Sequence, residues 1–505
     1  MARRMMADLM LDWYDTHRRV LPFRGSRDPY RVWVSEIMLQ QTRTETVSGY
    51  FLRFMERFPD VFALAEAPEE YVLKAWEGLG YYSRARNLHK AAKKVVSEYG
   101  GVFPADVDAL RALPGVGDYT AAAVASIAFD IPVPAMDGNL TRVFSRVMGV
   151  REDVGMPSVK RKLTALAQAQ MPEKRAGEFN QALMDLGASV CVPGTPECEK
   201  CPLTALCSAY GEGDADMLPV KAAAKPPKEI EMAVVIVIFG GRVLMMKRQE
   251  TLLQGLWVFP LLENAKTRAD IQKGLKALGV KADFAARLGE ARHVFTHRVW
   301  NMTVFHYTAR ASEAAAGEYL SAAEMLRRPL PTAVRCAKEE ALRLLTPDIR
   351  PMQSGELEEA GRAYSESWRE AHKTHCSEAF LREHDPERMA MTLLGHRDFG
   401  RQVYVLSMAG QTAGIMVLDR PENELVSLYV RPAFQGCGLG KAAVAFAVDA
   451  LDKERDMRVT VLCGNERALA LYRAFGFDRA AEERVLDPAR DLRERVLLRA
   501  AASVQ

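Results

Sequence analysis

Cysteine is scarce in this chain, eight residues among 505. That scarcity excludes a small scaffold held by disulfides, which needs a far denser supply. Long apolar runs are missing too. The longest, AVVIVIF from Ala233, falls short of the ~20 residues a membrane helix needs and suits a buried strand. No charge of one sign dominates: the net is +3, and the first 225 residues balance their acids and bases. A nucleic-acid partner is therefore not announced by bulk charge, and any such contact must use a local patch and backbone donors. The N-terminal stretch MARRMMADLMLDWYDTHRR carries acidic residues too early for a secretion signal. A cytoplasmic, reducing compartment of bacterial type is the expected setting, with no membrane partner. In that setting clustered cysteines are more often metal ligands or catalysts than disulfides.

What is present is an ordinary globular composition, 49% hydrophobic and 26% charged, in a chain long enough for about three domains. Residues 1–210 read as helical: EEYVLKAWEGL and LHKAAKKVVSEYG space their apolar residues by three and four. Residues 211–231, GEGDADMLPVKAAAKPPKEIE, mix Gly, Pro, Ala and Lys and read as a linker. From Met232 to about Leu345 strand-like runs surround a helical ADIQKGLKAL, an α+β pattern. Residues 346–505 alternate helices such as ELEEAGRAYSESWREA with strands such as VYVLSMAG and LVSLYV, an α/β pattern. The expected fold is therefore multidomain: all-α, then α+β, then α/β. No internal repeat or low-complexity tract occurs.

Four of the eight cysteines fall within CVPGTPECEKCPLTALC: Cys191, Cys198, Cys201 and Cys207. Structural zinc sites more often use two close pairs separated by a long insert. One compact loop of four thiolates suits a [4Fe–4S] cluster; a zinc knuckle and unligated thiols are the alternatives. Upstream, LPGVG (Leu113–Gly117) precedes the apolar run YTAAAVASIAF. Two glycines in such a hairpin let backbone approach a phosphate, and the helix N-terminus that follows favours an anion. Alone this is weak, since any tight helix–helix turn looks similar.

Together with AMDGNLTRV (135–143), SEIMLQQTR (35–43), LPFRGSRDPYRVWVSEIMLQQTR and GLGYYSRARNLHKAA, these motifs resemble the helix–hairpin–helix, iron–sulfur DNA glycosylases of the endonuclease III superfamily, and within it the adenine glycosylase (MutY-type) branch. The resemblance spans about residues 8–345. It implies that Glu36 protonates N7 of the departing adenine and that Asp137 faces the sugar, the two carboxyl groups that an oxocarbenium-like cleavage requires. Val34, Ile37, Met38 and Leu39 flank Glu36, which favours a raised pKa on burial. Asp137, before Gly138 and Asn139, reads equally as a helix cap when taken alone. Tyr119 stands where lyase relatives carry a Schiff-base lysine; a phenol forms no such adduct, which implies base release without strand cleavage. Tyr119 and Asn139 are expected to order Asp137 or a water. Gln41 and Tyr81 match the side chains that fill the gap left by the extruded base. Leu113, Gly115 and Gly117 are candidate DNA contacts. Arg19, Arg24, Arg84 and Arg86 are candidate phosphate or pocket contacts, with a solvated surface arginine as the other reading of each. Lys200 in the cysteine loop is expected to face the phosphate backbone.

In the second segment GGRVLMMKRQETLLQGLWVFP resembles the MutT/Nudix fold, yet the following ENAKTRADIQKGLKALGV lacks the paired glutamates a magnesium site needs. Triphosphate hydrolysis is not expected. The resemblance implies instead a domain that reads 8-oxoguanine opposite adenine, with Phe295, Thr296 and His297 as its recognition loop. The partner is then double-stranded DNA holding A:8-oxoguanine or A:G mispairs, met by a monomer.

In the third segment QGCGLG, within RPAFQGCGLGKAA (431–443), resembles the pyrophosphate loop of the GNAT acetyltransferases, and NERALALYRAFGF (465–477) follows at that superfamily's spacing. Gln435, Gly436, Gly438 and Gly440 would cradle acetyl-CoA. Tyr472 would protonate the departing thiolate, Glu424 reads first as a solvated turn glutamate and second as a candidate base, and Cys437 reads as a small loop residue rather than a nucleophile. The amine acceptor is unreadable. Two rival readings stay open: an endonuclease III-type lyase acting on oxidised pyrimidines, and a lesion-binding protein with an inactive CoA module.

Overall fold

The computed structural model describes residues 2–222, 226–314, 316–374, 376–487 and 492–501. It separates into two compact units. The first holds Met1–Pro226 with Arg248–Leu256 and Pro329–Thr332; the second holds Pro227–Lys247, Trp257–Arg328 and Ala333–Gln505.

The first unit is helical, and its helix ends are set by local chemistry. The Pro29–Leu39 helix starts at Asp28, whose carboxylate accepts from the Tyr30 N–H at 3.0 Å, with Pro29 in the first turn where its missing N–H costs nothing. Asp106 caps the short Val107–Arg111 helix in the same way. The Leu113–Gly117 turn follows, and the Asp118–Phe129 helix leaves it. That helix is small and apolar all round, and Thr120 through Ile127 are buried, as expected for a helix enclosed on every side. A Cβ on Gly177 would lie 2.5 Å from the Ser126 carbonyl oxygen, so the Ala176–Ser189 helix crosses it at glycine contact. At the other end of the same helix, a Cβ on Gly187 would lie 2.7 Å from the Asn139 Cβ. Gly177 thus seats the Ala176–Ser189 helix on the Asp118–Phe129 helix, and Gly187 seats it on the start of the Gly138–Val147 helix.

The expected linker is tied down over its first half. Leu218 is buried, its carbonyl accepts from Arg146 Nε at 3.0 Å, and the Val220 carbonyl accepts from the Val154 N–H at 3.0 Å. Leu218 is an anchor that its Gly- and Asp-rich surroundings conceal in the sequence. Residues 223–225 of that stretch lie outside the described residues, and a strand already begins at Lys228.

The second unit holds two seven-stranded sheets. In the first sheet Lys228–Phe239 runs parallel to Arg298–Ala309, with Met232 opposite Met302, and antiparallel to Arg242–Lys247. The apolar run from Ala233 is its central strand, buried from Met232 through Ile238. The Arg268–Ala277 helix packs Ile271 and Leu275 into the core beside it. In the second sheet the order is Phe477–Asp487, Leu492–Arg499, Met457–Leu462, Glu424–Val430, Gln411–Asp419, Gln402–Met408 and Asp348–Pro351. Neighbours are antiparallel except Glu424–Val430 and Met457–Leu462, which run parallel and pair only at Glu424–Arg458 and Leu425–Val459. Beyond those two pairs the strands part, and the Gly-rich loop begins where Val430 ends. Among the described residues no helix is long and apolar enough to cross a membrane.

Candidate active sites

In the first unit Glu36 lies on the Pro29–Leu39 helix and is 6% exposed. The Tyr119 hydroxyl, from the first turn of the Asp118–Phe129 helix, donates to Glu36 Oε2. Burial pushes the Glu36 carboxyl above the usual glutamate range, opposed by the Tyr119 hydrogen bond and the Arg24 charge and assisted by Asp137. Burial also lifts the Tyr119 phenol well up, so its proton stays on oxygen. Asp137 is the N-cap of the Gly138–Val147 helix: Oδ1 accepts from the Leu140 N–H at 2.7 Å and Oδ2 from Asn139 Nδ2 at 2.9 Å. Burial raises its carboxyl, and those two donors hold the rise back. The cap reading of Asp137 is thus observed, and it leaves the same carboxyl available for the sugar-facing role. Three helices thus bring Glu36, Tyr119, Asp137 and Asn139 into mutual electrostatic contact.

The candidate DNA contacts divide. Gln41 and Tyr81 are exposed, and both take positive φ, 55° and 47°, a region non-glycine residues seldom occupy. Arg84 lies beneath both loops and is only 8% exposed. Its Nη1 donates to the carbonyls of Ile37 and Met38 at 2.9 Å each and of Gln40 at 2.5 Å; its Nη2 reaches the Leu79 and Gly80 carbonyls at 3.2 and 3.1 Å. The expectation of a phosphate contact at Arg84 is corrected: the end of the Glu36 helix leaves orphan carbonyls, and this guanidinium satisfies them. Arg86 gives Nη1 to the Gln254 carbonyl at 2.6 Å, so that side of its fork is also engaged with backbone. Arg19 and Arg24 both meet Asp185, at 2.7 and 3.2 Å, and Asp185 is 1% exposed. Of the pair, Arg24 is the one whose charge opposes the rise of the Glu36 carboxyl. Leu113 is a buried core residue, which corrects its reading as a DNA contact; Gly115, at φ +75°, packs where a Cβ would meet the Asn87 Cβ at 2.5 Å. Gly117 is exposed as the N-cap of the Asp118–Phe129 helix.

Cys191, Cys198, Cys201 and Cys207 line one small cavity with Val143, Val147, Leu186, Val190 and Leu203. Burial raises the thiols of Cys198, Cys201 and Cys207, Cys201 to about 11. Among the described residues no three His, Cys, Asp or Glu side chains converge on a single-ion site. Four sulfurs around an apolar space, with no imidazole or carboxylate, form a donor set suited to a soft, thiolate-held group. Two arginines the motifs did not single out serve this loop. Arg146, 1% exposed, donates to the Val192 and Gly194 carbonyls at 2.8 and 3.0 Å and to Cys191 Sγ at 3.3 Å. Arg142 donates to the Cys191 and Gly187 carbonyls at 2.7 Å each and to Asn139 Oδ1 at 2.9 Å. A continuous chain of hydrogen bonds therefore runs from Asp137 through Asn139 and Arg142 to Cys191. Their signal was available: both arginines sit four apart on a helix otherwise buried at Leu140, Val143, Phe144 and Val147. Lys200 is exposed and paired with Glu197 at 2.6 Å.

In the second unit Phe295, Thr296 and His297 form the turn between the Ala282–Val294 and Arg298–Ala309 strands. Phe295 turns inward, edge-on to Trp300 at 4.9 Å, and Thr296 and His297 are exposed. Asp270, the one acid within the Arg268–Ala277 helix, is spent on a capping box with Thr267.

In the loop after Glu424–Val430, Gly436 and Gly438 have φ +78° and +100°, and Gly438 caps the Leu439–Ala450 helix that contains Gly440. Gln435 Nε2 donates to the Val430 carbonyl at 3.0 Å, and its Oε1 accepts from Arg467 Nη1 at 2.7 Å. Cys437 gives its S–H to the Phe434 carbonyl, and burial raises that thiol, so it offers no thiolate. Tyr472 is 6% exposed, and burial keeps its phenol protonated. Glu424 accepts from Thr460 Oγ1 at 3.3 Å. Sequence reasoning missed Glu494 and Tyr429. Burial raises the Glu494 carboxyl and Glu424 adds to the rise; Tyr429 is raised by burial and by Tyr364, Glu494 and Tyr472 around it.

Three family models match in chain order. Residues 34–169 match the HhH-GPD superfamily of base excision DNA repair proteins, 233–339 a NUDIX domain, and 345–477 the GNAT acetyltransferase family. Among curated relatives, the chain is 38% identical over 347 residues to the adenine DNA glycosylase of Mus musculus, covering 57% of this chain and 67% of that protein. It is 36% identical to the Homo sapiens adenine DNA glycosylase, covering 57% and 64%. With the adenine DNA glycosylase of Buchnera aphidicola subsp. Schizaphis graminum the identity is 33%, covering 58% and 84%. The helical, Nudix-like and GNAT segments expected from the motifs are thus present in that order.

Proposed function

The chain belongs to the adenine DNA glycosylase family, and on that premise we propose that it hydrolyses the N-glycosidic bond of adenine paired with 8-oxoguanine or guanine in double-stranded DNA. The observation that carries this reading is the Glu36–Tyr119–Asp137 group, two carboxyls raised by burial with a neutral phenol on one and a helix N-terminus beneath the other. Burial that raises the Glu36 carboxyl favours its protonated form, which can give its proton to N7 of an extruded adenine. The C1′–N9 bond then breaks with its electron pair leaving on the base. Asp137, less opposed to ionisation because Leu140 and Asn139 donate to it, faces the positive charge that develops on the sugar. Water completes the reaction at C1′ and its proton restores Glu36. Tyr119 offers no amine, so the abasic strand stays intact. Gln41 and Tyr81, held in positive φ above Arg84, are suited to occupy the space the base vacates, and the Phe295–Thr296–His297 turn is suited to read the opposite base.

Cys191, Cys198, Cys201 and Cys207 would hold a [4Fe–4S] cluster, which supplies a rigid anchor for the loop. Residues 351–505 would bind acetyl-CoA at Gln435–Gly440 and transfer its acetyl group to an amine. In that step the amine nitrogen attacks the thioester carbonyl, the C–S bond breaks, and Tyr472 gives its proton to the departing thiolate. Glu494, with its raised carboxyl, joins Glu424 as a candidate to take the proton from the amine.

The test of the first reading is Glu36→Gln. Base release from an A:8-oxoguanine duplex is expected to fall by about 10³-fold, within the range of general-acid effects, while duplex affinity changes little. Normal turnover by this variant would show that Glu36 is not the acid.

A further inference from the structure

The turn joining Lys228–Phe239 to Arg242–Lys247 has two residues, Gly240 and Gly241, with Phe239 paired to Arg242. A two-residue hairpin favours glycine, but it accepts Asn or Asp at its first position as readily. Here neither position has room. A Cβ on Gly240 would lie 2.1 Å from the Ala433 carbonyl oxygen, and one on Gly241 would lie 2.4 Å from Cys437 Sγ and 2.9 Å from Met408 Sδ. The turn of the Nudix-like segment is therefore seated against the Gly-rich loop of the acetyltransferase segment, inside one compact unit. A second tie joins these segments: the Ala409 N–H donates to the Leu344 carbonyl at 2.8 Å.

The residue that leaves this turn is Arg242. Its Nη2 is 3.3 Å from the point a Gly436 Cβ would occupy, and Arg467 Nη2 is 3.8 Å from the same point. Two guanidinium groups from different segments thus converge on one glycine of the loop. Arg467 is fixed by Gln435, and Arg242 by Glu324 at 2.8 Å, which leaves each fork with donors to spare. Like charges brought together are costly unless an anion lies between them, and two arginine forks match phosphate oxygens better than any other common ligand.

We propose that Arg242 is a ligand of the coenzyme A pyrophosphate, supplied to the acetyltransferase site by the Nudix-like segment. The inference rests on the reading of Gln435–Gly440 as a coenzyme A loop and adds a partner from outside the acetyltransferase segment. The site is then incomplete without the hairpin, and the fusion is a shared binding site rather than a tether.

The test is calorimetric titration of the full chain with coenzyme A, comparing wild type with Arg242→Ala, Arg242→Lys and Glu324→Gln. Arg242→Ala is expected to weaken binding about tenfold, the effect of one charge-assisted contact, and Arg242→Lys by less. Glu324→Gln keeps the capping box on Ser321 and frees Arg242, so it is expected to tighten binding; damage to the fold would weaken it instead. Adenine release should be unchanged in all three, which checks the helical unit, and thermal melts matching wild type check the unit that holds Arg242. Binding by Arg242→Ala within twofold of wild type, or weaker binding by Glu324→Gln, overturns the assignment of Arg242. Wild-type protein that binds no coenzyme A overturns the acetyltransferase reading itself.

Discussion

The two candidate active sites are built on opposite plans. In the helical unit the reacting groups come from three helices and meet only after folding: Glu36, Tyr119 and Asp137 stand about a hundred residues apart at the extremes. Glu36 is buried, Tyr119 and Asp137 are partly buried, and each has a fixed partner. In the acetyltransferase segment the loop Gln435–Gly440 is one contiguous stretch, shaped by its own glycines and followed at once by its helix. The first plan depends on packing to set protonation. The second depends on backbone geometry to expose N–H groups, with burial acting on Cys437 and on Tyr472 and its neighbours. An assembled site is therefore the more sensitive to distant changes, and a contiguous loop the more tolerant of them.

Breaking the assembled site at its centre should give the largest effect. Glu36→Gln removes the proposed proton donor, with the ~10³-fold loss in base release described above. It should also stabilise the fold at neutral pH. A carboxyl whose pKa is raised on folding contributes fully only below its unfolded value, and that contribution is lost as pH rises toward the folded one; glutamine has no charge to lose. Thermal denaturation at pH 5 and pH 8 checks this, and the gain should be greater at pH 8.

Arg142→Ala tests whether the assembled plan reaches the cysteine loop. It leaves the Cys191 and Gly187 carbonyls and Asn139 Oδ1 without their donor, at roughly 2–4 kcal/mol of stability. Denaturant melts should show that loss together with reduced iron per chain. A comparable substitution in the contiguous loop, Cys437→Ala, removes one thiol contact to a carbonyl and should cost roughly 1 kcal/mol or less.

Tyr472→Phe should slow acetyl transfer by about 10²-fold, the lower end for general-acid catalysis, with coenzyme A affinity unchanged. Loss of affinity instead would mean that the phenol serves packing. Smaller again, Thr296→Ala should lower the preference for 8-oxoguanine over guanine opposite adenine by about fivefold, the worth of one neutral hydrogen bond. The finest test is a pH profile. Tyr119→Phe removes a donor that stabilises the Glu36 carboxylate, so the alkaline limb of base release should move to higher pH. A shift to lower pH would mean that the phenol acts on Glu36 in the opposite sense.

The same contrast explains what could be read without a structure. Motifs whose meaning is local were legible: the cysteine spacing, the LPGVG hairpin, the Gly-rich loop, and the missing glutamates of the Arg268–Ala277 helix. The apolar run from Ala233 was legible as a buried strand because its composition leaves little choice. Roles that depend on burial were not. Arg84 reads as a surface cation in GLGYYSRAR, and only the approach of the Ile37–Gln40 carbonyls turns it inward. Arg142 and Arg146 likewise gain their function from carbonyls some 45 residues away. Leu218 hid in a segment with the composition of a linker. Glu494 emerges only once its strand lies beside Met457–Leu462, with Glu494 opposite Leu462.

A buried Glu36 acting as the proton donor, with the Tyr119 phenol rather than an amine donating to it, should release adenine and do nothing further to the strand. A single-turnover assay with an end-labelled duplex holding A opposite 8-oxoguanine, divided into samples with and without alkali, tests it most directly. Free adenine is expected in both samples, and strand cleavage only after alkali. Cleavage before alkali, or release of a pyrimidine from a damaged duplex in place of adenine, would contradict it.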